Sequence, residues 1–232
     1  MNFELVGDAG FQLAKIYLGN GETAKIENGA MVYMQDVKLE GKLNSNKKGI
    51  GGFLGAMAKS LLSDESIFIT QVMGTAANGV VAIAPTLPGK IARLEVGAHQ
   101  YRLNDGAFFA CDDSVSYKMQ KQNLSQAVFG GSGGLFVMET EGQGDMLIAS
   151  YGDMVEVECT PAKPVTIDNE HVVAWDASLS YSIEVASGTF GFTTGEGLVN
   201  KFTGSGKILI QTRNISALAD AVKPFLPDKS SD

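Results

Sequence analysis

What this chain has little of narrows its chemistry first. Two cysteines, Cys111 and Cys159, are too few for the disulfide framework of a small secreted domain. Buried free thiols are the reading they support. Two histidines, His99 and His171, stand far apart in sequence, and neither cysteine shows paired-ligand spacing. A clustered metal centre is therefore not expected, and no cofactor is assigned. No apolar run approaches the ~20 residues of a membrane helix; the densest, Val80–Ala84, is stopped by Pro85. Positive charge is also scarce: 18 Lys and Arg against 26 Asp and Glu give a net charge of −8. Nucleic acid is not an expected partner, because binding it depends on neutralising phosphates with basic side chains. The opening MNFELVGDAGFQL places Glu4 and Asp8 before the first lysine, Lys15. That is neither a secretory signal nor an organelle presequence, and the expectation is a cytoplasmic protein.

What is present is glycine, 28 of 232 residues, in a chain that is 44% apolar. Such a chain can bury a sizeable core, and its glycines suggest many tight turns between regular elements.

One pattern occurs three times. A corner of turn-forming residues comes first: Ile26-Glu27-Asn28-Gly29, Leu103-Asn104-Asp105-Gly106 and Ile167-Asp168-Asn169-Glu170. Each corner leads into a strand and then a second strand of alternating character. Val37, Leu39 and Leu43 alternate with Lys38, Glu40 and Lys42. Val115, Tyr117 and Met119 alternate with Ser116, Lys118 and Gln120. Leu179, Tyr181, Ile183 and Val185 alternate with Ser180, Ser182 and Glu184. Period-two alternation is the mark of antiparallel sheet with one face packed. A glycine hairpin closes each unit, and Gly79, Gly144 and Gly206 each stand four positions before an isoleucine, Ile83, Ile148 and Ile210.

The expectation is an all-β chain folded as a single compact domain of three tandem β units. They span about 22–92, 98–155 and 162–213, and are of a short double-stranded β-helix or β-sandwich type. Little helix is expected. One candidate lies near 53–62, where the first unit is longer than its siblings. The other is a C-terminal helix near 215–223, with Ile215, Leu218, Ala219 and Val222 on one stripe, followed by a tail to 232. In the first, Phe53, Leu54, Met57 and Leu61 fall at helical spacing near Lys47, Lys48 and Lys59. They are the candidate interaction surface, either covering a sheet edge or meeting a protein partner or membrane surface.

Four stretches, GAMVYMQ (29–35), APTLPGKI (84–91), GGLFVMETEGQGDMLIASYG (133–152) and DNEHVVAWDASLSY (168–181), are similar to one known family. So is the tail KFTGSGKILIQTR (201–213). From about Ala24 to Leu226 the chain resembles the family named for altered inheritance of mitochondria. The resemblance implies a fold related to the tryptophan RNA-binding attenuation protein, with three such units fused. It also implies self-assembly, with a trimer as the first expectation, and it brings no enzymatic activity or cofactor.

The apparent catalytic motifs are weak. Ser132 lies in Gly130-Gly131-Ser132-Gly133-Gly134, with Asp153 and His171 following in hydrolase order. A nucleophile elbow needs a helix after the serine, whereas the β-rich Leu135-Phe136-Val137-Met138 follows. Gly55–Ser60 ends in Lys-Ser like a phosphate loop, but Ala58 and Phe53 occupy the positions where that loop needs glycine. Asp112-Asp113 reads as an ordinary solvated turn, and Trp175 as a core residue. The expected function is a non-enzymatic assembly or scaffold protein. A small-ligand-binding β module is the alternative, and a hydrolase using Ser132 ranks third.

Overall fold

A computed structural model describes residues 1–43, 68–121, 136–186 and 197–226. The chain begins with β1 (Asn2–Val6) and β2 (Leu13–Leu18). Next come β3 (Thr23–Ile26), β4 (Met31–Gln35), β5 (Val37–Leu43), β6 (Phe68–Gly74), β7 (Gly79–Ile83) and β8 (Ile91–Val96). A second series follows: β9 (Tyr101–Asn104), β10 (Phe108–Asp112), β11 (Val115–Lys121), β12 (Phe136–Gly142), β13 (Gly144–Ala149) and β14 (Met154–Cys159). The last is β15 (Val165–Asp168), β16 (Val172–Asp176), β17 (Ser180–Val185), β18 (Leu198–Thr203) and β19 (Gly206–Gln211). Helix α1 (Ile215–Val222) and a 3-10 turn (Lys223–Phe225) end the described chain. The protein is mostly strand, as the alternation predicts. The helix near 215–223 is present, with Asn214 Oδ1 accepting the Ala217 N–H as its N-cap. Pro224 does not stop the coil outright; the backbone continues through it as the 3-10 turn.

The strands form four open antiparallel sheets. Sheet 1 runs β1-β2-β7-β4 and sheet 2 runs β5-β6-β3-β10-β13-β8. Sheet 3 runs β11-β12-β9-β16-β19-β14, and sheet 4 is β15-β18-β17. Sheets 2 and 3 share one order. Each joins a trio from one stretch of chain (β5-β6-β3, β11-β12-β9) to a hairpin strand and its neighbour from the next (β10-β13, β16-β19).

Burial follows from stacking these sheets. A first cluster packs Ala14, Ile16, Leu18, Val81 and Ile83 of sheet 1 on Ile26, Val72, Phe109 and Leu147 of sheet 2. A second sets Leu94, Phe108, Cys111 and Met146 of sheet 2 against Leu103, Val115, Tyr117 and Val173 of sheet 3. A third sets Val172, Trp175 and Ile208 of sheet 3 against Phe202 and Tyr181 of sheet 4. Sheets 2 and 3 are thus covered on both faces, which is why Phe108-Phe109-Ala110-Cys111 is an unbroken apolar run. A bulge between Phe108 and Ala110 divides its side chains between two cores. The same bulge recurs between Val172 and Ala174 in β16, and between Met31 and Tyr33 in β4.

Candidate functional site

The candidate surface Phe53, Leu54, Met57 and Leu61 lies outside the described residues, as does Ser132. The remaining motif residues can be placed. His171 has both ring nitrogens engaged: Nδ1 lies 2.7 Å from the Gln211 carbonyl and Nε2 lies 3.0 Å from Asn214 Nδ2. A carbonyl can only accept, so Nδ1 carries the proton and Nε2 accepts from the Asn214 amide. The ring joins β16 to β19 and the start of α1. Asp153 caps its own strand, its Oδ1 accepting from Met154 N at 2.8 Å.

Asp112 and Asp113 are more than a solvated corner. Asp112 Oδ2 accepts the Asp145 N–H at 2.6 Å, holding the β13 hairpin, and Asp113 Oδ1 accepts from Gln71 Nε2 at 2.8 Å. Asp176 does the same for β19 through Lys207 N at 2.8 Å. Trp175 is buried, edge-on to Tyr181 and Phe202 with centroids at 5.0 and 5.5 Å. Both cysteines are free and buried. Burial pushes the Cys111 thiol up to about 12, so it is no nucleophile at neutral pH.

The corners converge on a cleft of about 610 Å³. Glu27, Asn104–Gly106 of the second corner, and Asn169 and Glu170 of the third corner line it, together with Tyr151, Asn214 and Ser216. Asn104 Nδ2 donates to the carbonyls of Asn169 and Val172 at 3.0 and 2.9 Å, pinning two corners together. Gln211 Nε2 donates to Glu170 O, and Ser216 Oγ donates to Glu170 Oε1, both at 2.8 Å. Burial first, and the neighbouring Asp105 charge second, hold the Glu27 carboxyl above the usual glutamate range. Much of the lining is apolar, with Pro85, Leu87, Val172, Val173 and Ile215, and Glu27, Asp105 and Glu170 add acidic groups, which suits a small molecule with an apolar body and a polar or cationic end. Among the described residues, no group of three or more His, Cys, Asp and Glu is placed to hold a metal ion.

The other prominent surface is apolar. In β4, Met31, Val32, Tyr33 and Met34 are 40, 54, 42 and 46% exposed, and β4 ends its sheet. The residues at the same places in β10 and β16, matched through the shared bulge, are all buried. Helix α1 also presents Ile215, Leu218 and Val222 to solvent, beside Phe225 and Leu226. The exposure of β4 follows from its lack of a neighbour on that side among the described residues. No helix among the described residues is long and apolar enough to cross a membrane.

A curated relative, an uncharacterized protein of Streptococcus pyogenes serotype M6, is 44% identical over 233 residues. The match spans all of this chain and 93% of that protein. The crystal structure of a Streptococcus pyogenes protein matches with a TM-score of 0.80 at 41% identity, covering 97% of this chain and 99% of that one. Residues 3–213 match the family model described as mitochondrial biogenesis AIM24. With that match spanning nearly the whole chain, and its strands in the arrangement given above, this protein belongs to the AIM24 family.

Proposed function

We propose that this chain is a cytoplasmic, non-enzymatic assembly protein that works as a homo-oligomer, with a trimer as the first expectation. The observation that carries this reading is β4. Four consecutive apolar side chains lie half-exposed on an unpaired strand edge. Large apolar side chains gain ~1.5–3 kcal/mol each on full burial, and an open edge is a template for pairing with another chain. Helix α1 offers a second set of exposed apolar side chains, Ile215, Leu218 and Val222. Multi-angle light scattering at micromolar concentration tests it: a mass well above 24.5 kDa is expected. A constant monomeric mass across a dilution series overturns it.

A second reading, a small-ligand-binding module, is favoured by the acid-lined cleft around Glu27. Native mass spectrometry of the purified protein tests this reading. A retained small molecule lost in Glu27→Gln favours it, and a bare chain counts against it.

A further inference from the structure

We propose that a second copy of this chain docks head to tail on the first, with β15 of one copy pairing antiparallel with β4 of the next and Ile167 facing Tyr33. The proposal rests on the assembly reading and specifies which surfaces meet.

The chain already makes this joint twice within itself. In sheet 2 the trio β5-β6-β3 joins β10-β13-β8 through β3 and β10. In sheet 3 the trio β11-β12-β9 joins β16-β19-β14 through β9 and β16. Sheet 4, β17-β18-β15, is such a trio, with no strand beyond β15 among the described residues. Sheet 1, β4-β7-β2-β1, is the other half, with no strand beyond β4 among the described residues. In sheet 1, β2 pairs with β7 as β8 pairs with β13 and β14 with β19. The chain therefore ends in two complementary half-sheets, and a second copy supplies what each lacks.

The internal joints set the register. Ile26 faces Ala110 and Lys25 faces Cys111; Leu103 faces Ala174 and Arg102 faces Trp175. Corner residues Ile26 and Leu103 correspond to Ile167. The bulges place Tyr33 with Ala110 and Ala174, because each follows the shift and faces the hairpin strand one step on. Ile167 thus faces Tyr33, Thr166 faces Met34, and Val165 faces Gln35.

Burial agrees with this placement. The four exposed apolar residues of β4 hold the positions that the internal joints cover. Val165 and Ile167 already pack on the third cluster from β15. Residues 31–35, MVYMQ, contain no lysine or proline of the kind that guards natural edges. One feature makes this joint weaker than its internal counterparts. Lys25 Nζ crosses the first joint to the Val115 carbonyl at 2.6 Å, and Arg102 Nη1 crosses the second to Leu179 O at 3.1 Å. Thr166 stands in their place and is too short to span it. Association between copies is therefore concentration-dependent. A head-to-tail contact is heterologous, so it closes into a ring or runs on as a filament.

Cysteine pairing tests the register. Glu27 N donates to Phe109 O at 2.8 Å, so the adjacent Ile26 and Ala110 form a non-hydrogen-bonded pair. Such pairs bring Cα atoms to ~4.5 Å, within disulfide reach. Full-length chains carrying Ile167→Cys are mixed with chains carrying Tyr33→Cys under mild oxidation. A disulfide between positions 167 and 33 is expected in the mixture, at least tenfold above either variant alone. The wild-type chain is the control for its buried thiols. Should circular dichroism show Ile167→Cys unfolded, the exposed pair Thr166→Cys and Met34→Cys takes its place. Equal cross-linking in a single variant means a two-fold contact and overturns the proposal. So does an oligomer by light scattering without the mixed cross-link, which leaves the assembly reading standing. A monomer at every concentration overturns both. Amide exchange showing β4 protected in a monomer also overturns the joint.

Discussion

A methyl group placed on Gly89 would sit 1.6 Å from the carbonyl oxygen of Ser150. The two backbones touch because Gly89 bridges Gly10 and Phe11 on one side and Gly152 on the other. Lys90 N donates to Gly152 O at 3.1 Å, and Ser150 N to Lys90 O at 3.0 Å, so neither strand is free to move away. Gly89→Ala should destabilise the protein by at least the ~1–3 kcal/mol typical of overpacking. Urea denaturation reads this directly, and an unchanged midpoint would show that the contact yields.

Trp175 packs edge-on between Tyr181 and Phe202, and its Nε1–H has no hydrogen-bond partner among the described residues. Trp175→Ala should cost ~3–5 kcal/mol through the cavity it leaves. Trp175→Phe should cost clearly less, because it keeps an aromatic ring and removes an unsatisfied donor. Thermal unfolding of the two variants compares them; equal losses would mean that the indole nitrogen is satisfied in solution.

The Cys111 thiol is buried and its ionisation is pushed up to about 12. A thiol reagent at pH 8 should therefore leave Cys111 unmodified in the folded protein and label it once denaturant is added. Rapid native labelling, mapped to Cys111 by peptide mass, would contradict the buried placement.

Glu27 is held above the usual glutamate range by burial and by Asp105. Its raised folded-state value means that the native chain keeps a proton which the unfolded chain has released. That proton makes stability fall as pH rises from the ordinary glutamate value through the raised one. Glu27→Gln should raise the melting temperature at pH 7, with the gain shrinking below the ordinary glutamate range. A gain that stays constant down to pH 3 would assign the effect to something other than the charge.

The hairpin glycines were legible in the sequence because geometry demands them. A Cβ on Gly79 would meet Asp36 O at 2.6 Å, on Gly144 Asp112 Oδ2 at 2.7 Å, and on Gly206 Asp176 Oδ2 at 2.8 Å. The alternation of Val115, Tyr117 and Met119 was legible for a similar reason: these residues pack on the second cluster while Ser116 and Lys118 do not. The first two strands gave a fainter signal. Ala14, Ile16 and Leu18 keep period two and are buried, but Leu13 before them and Tyr17 between them blur the contrast. Pairings such as β3 with β10 leave no local mark, since they join residues whose sequence neighbourhoods are unrelated. The exposure of β4 was hidden for the same reason, because an apolar tetrapeptide looks alike whether or not its neighbour is present. Asp112 looked like a solvent-facing turn acid because its amide partner, Asp145, lies about thirty residues further on.

The borrowing of strands between successive stretches of chain has a consequence for biosynthesis. Ala14 pairs early with Leu5, but its second neighbour, Ile83, is made much later, and Ala24 has Val72 on one side yet waits for Asp112 on the other. Leu103 in turn waits for Ala174. A chain emerging from the ribosome thus carries, at every length, a half-built sheet whose completing strand is still untranslated. Folding dominated by such distant pairings is slow. Residues near the N-terminus must therefore stay competent, without sticking to one another, through much of the time that synthesis takes.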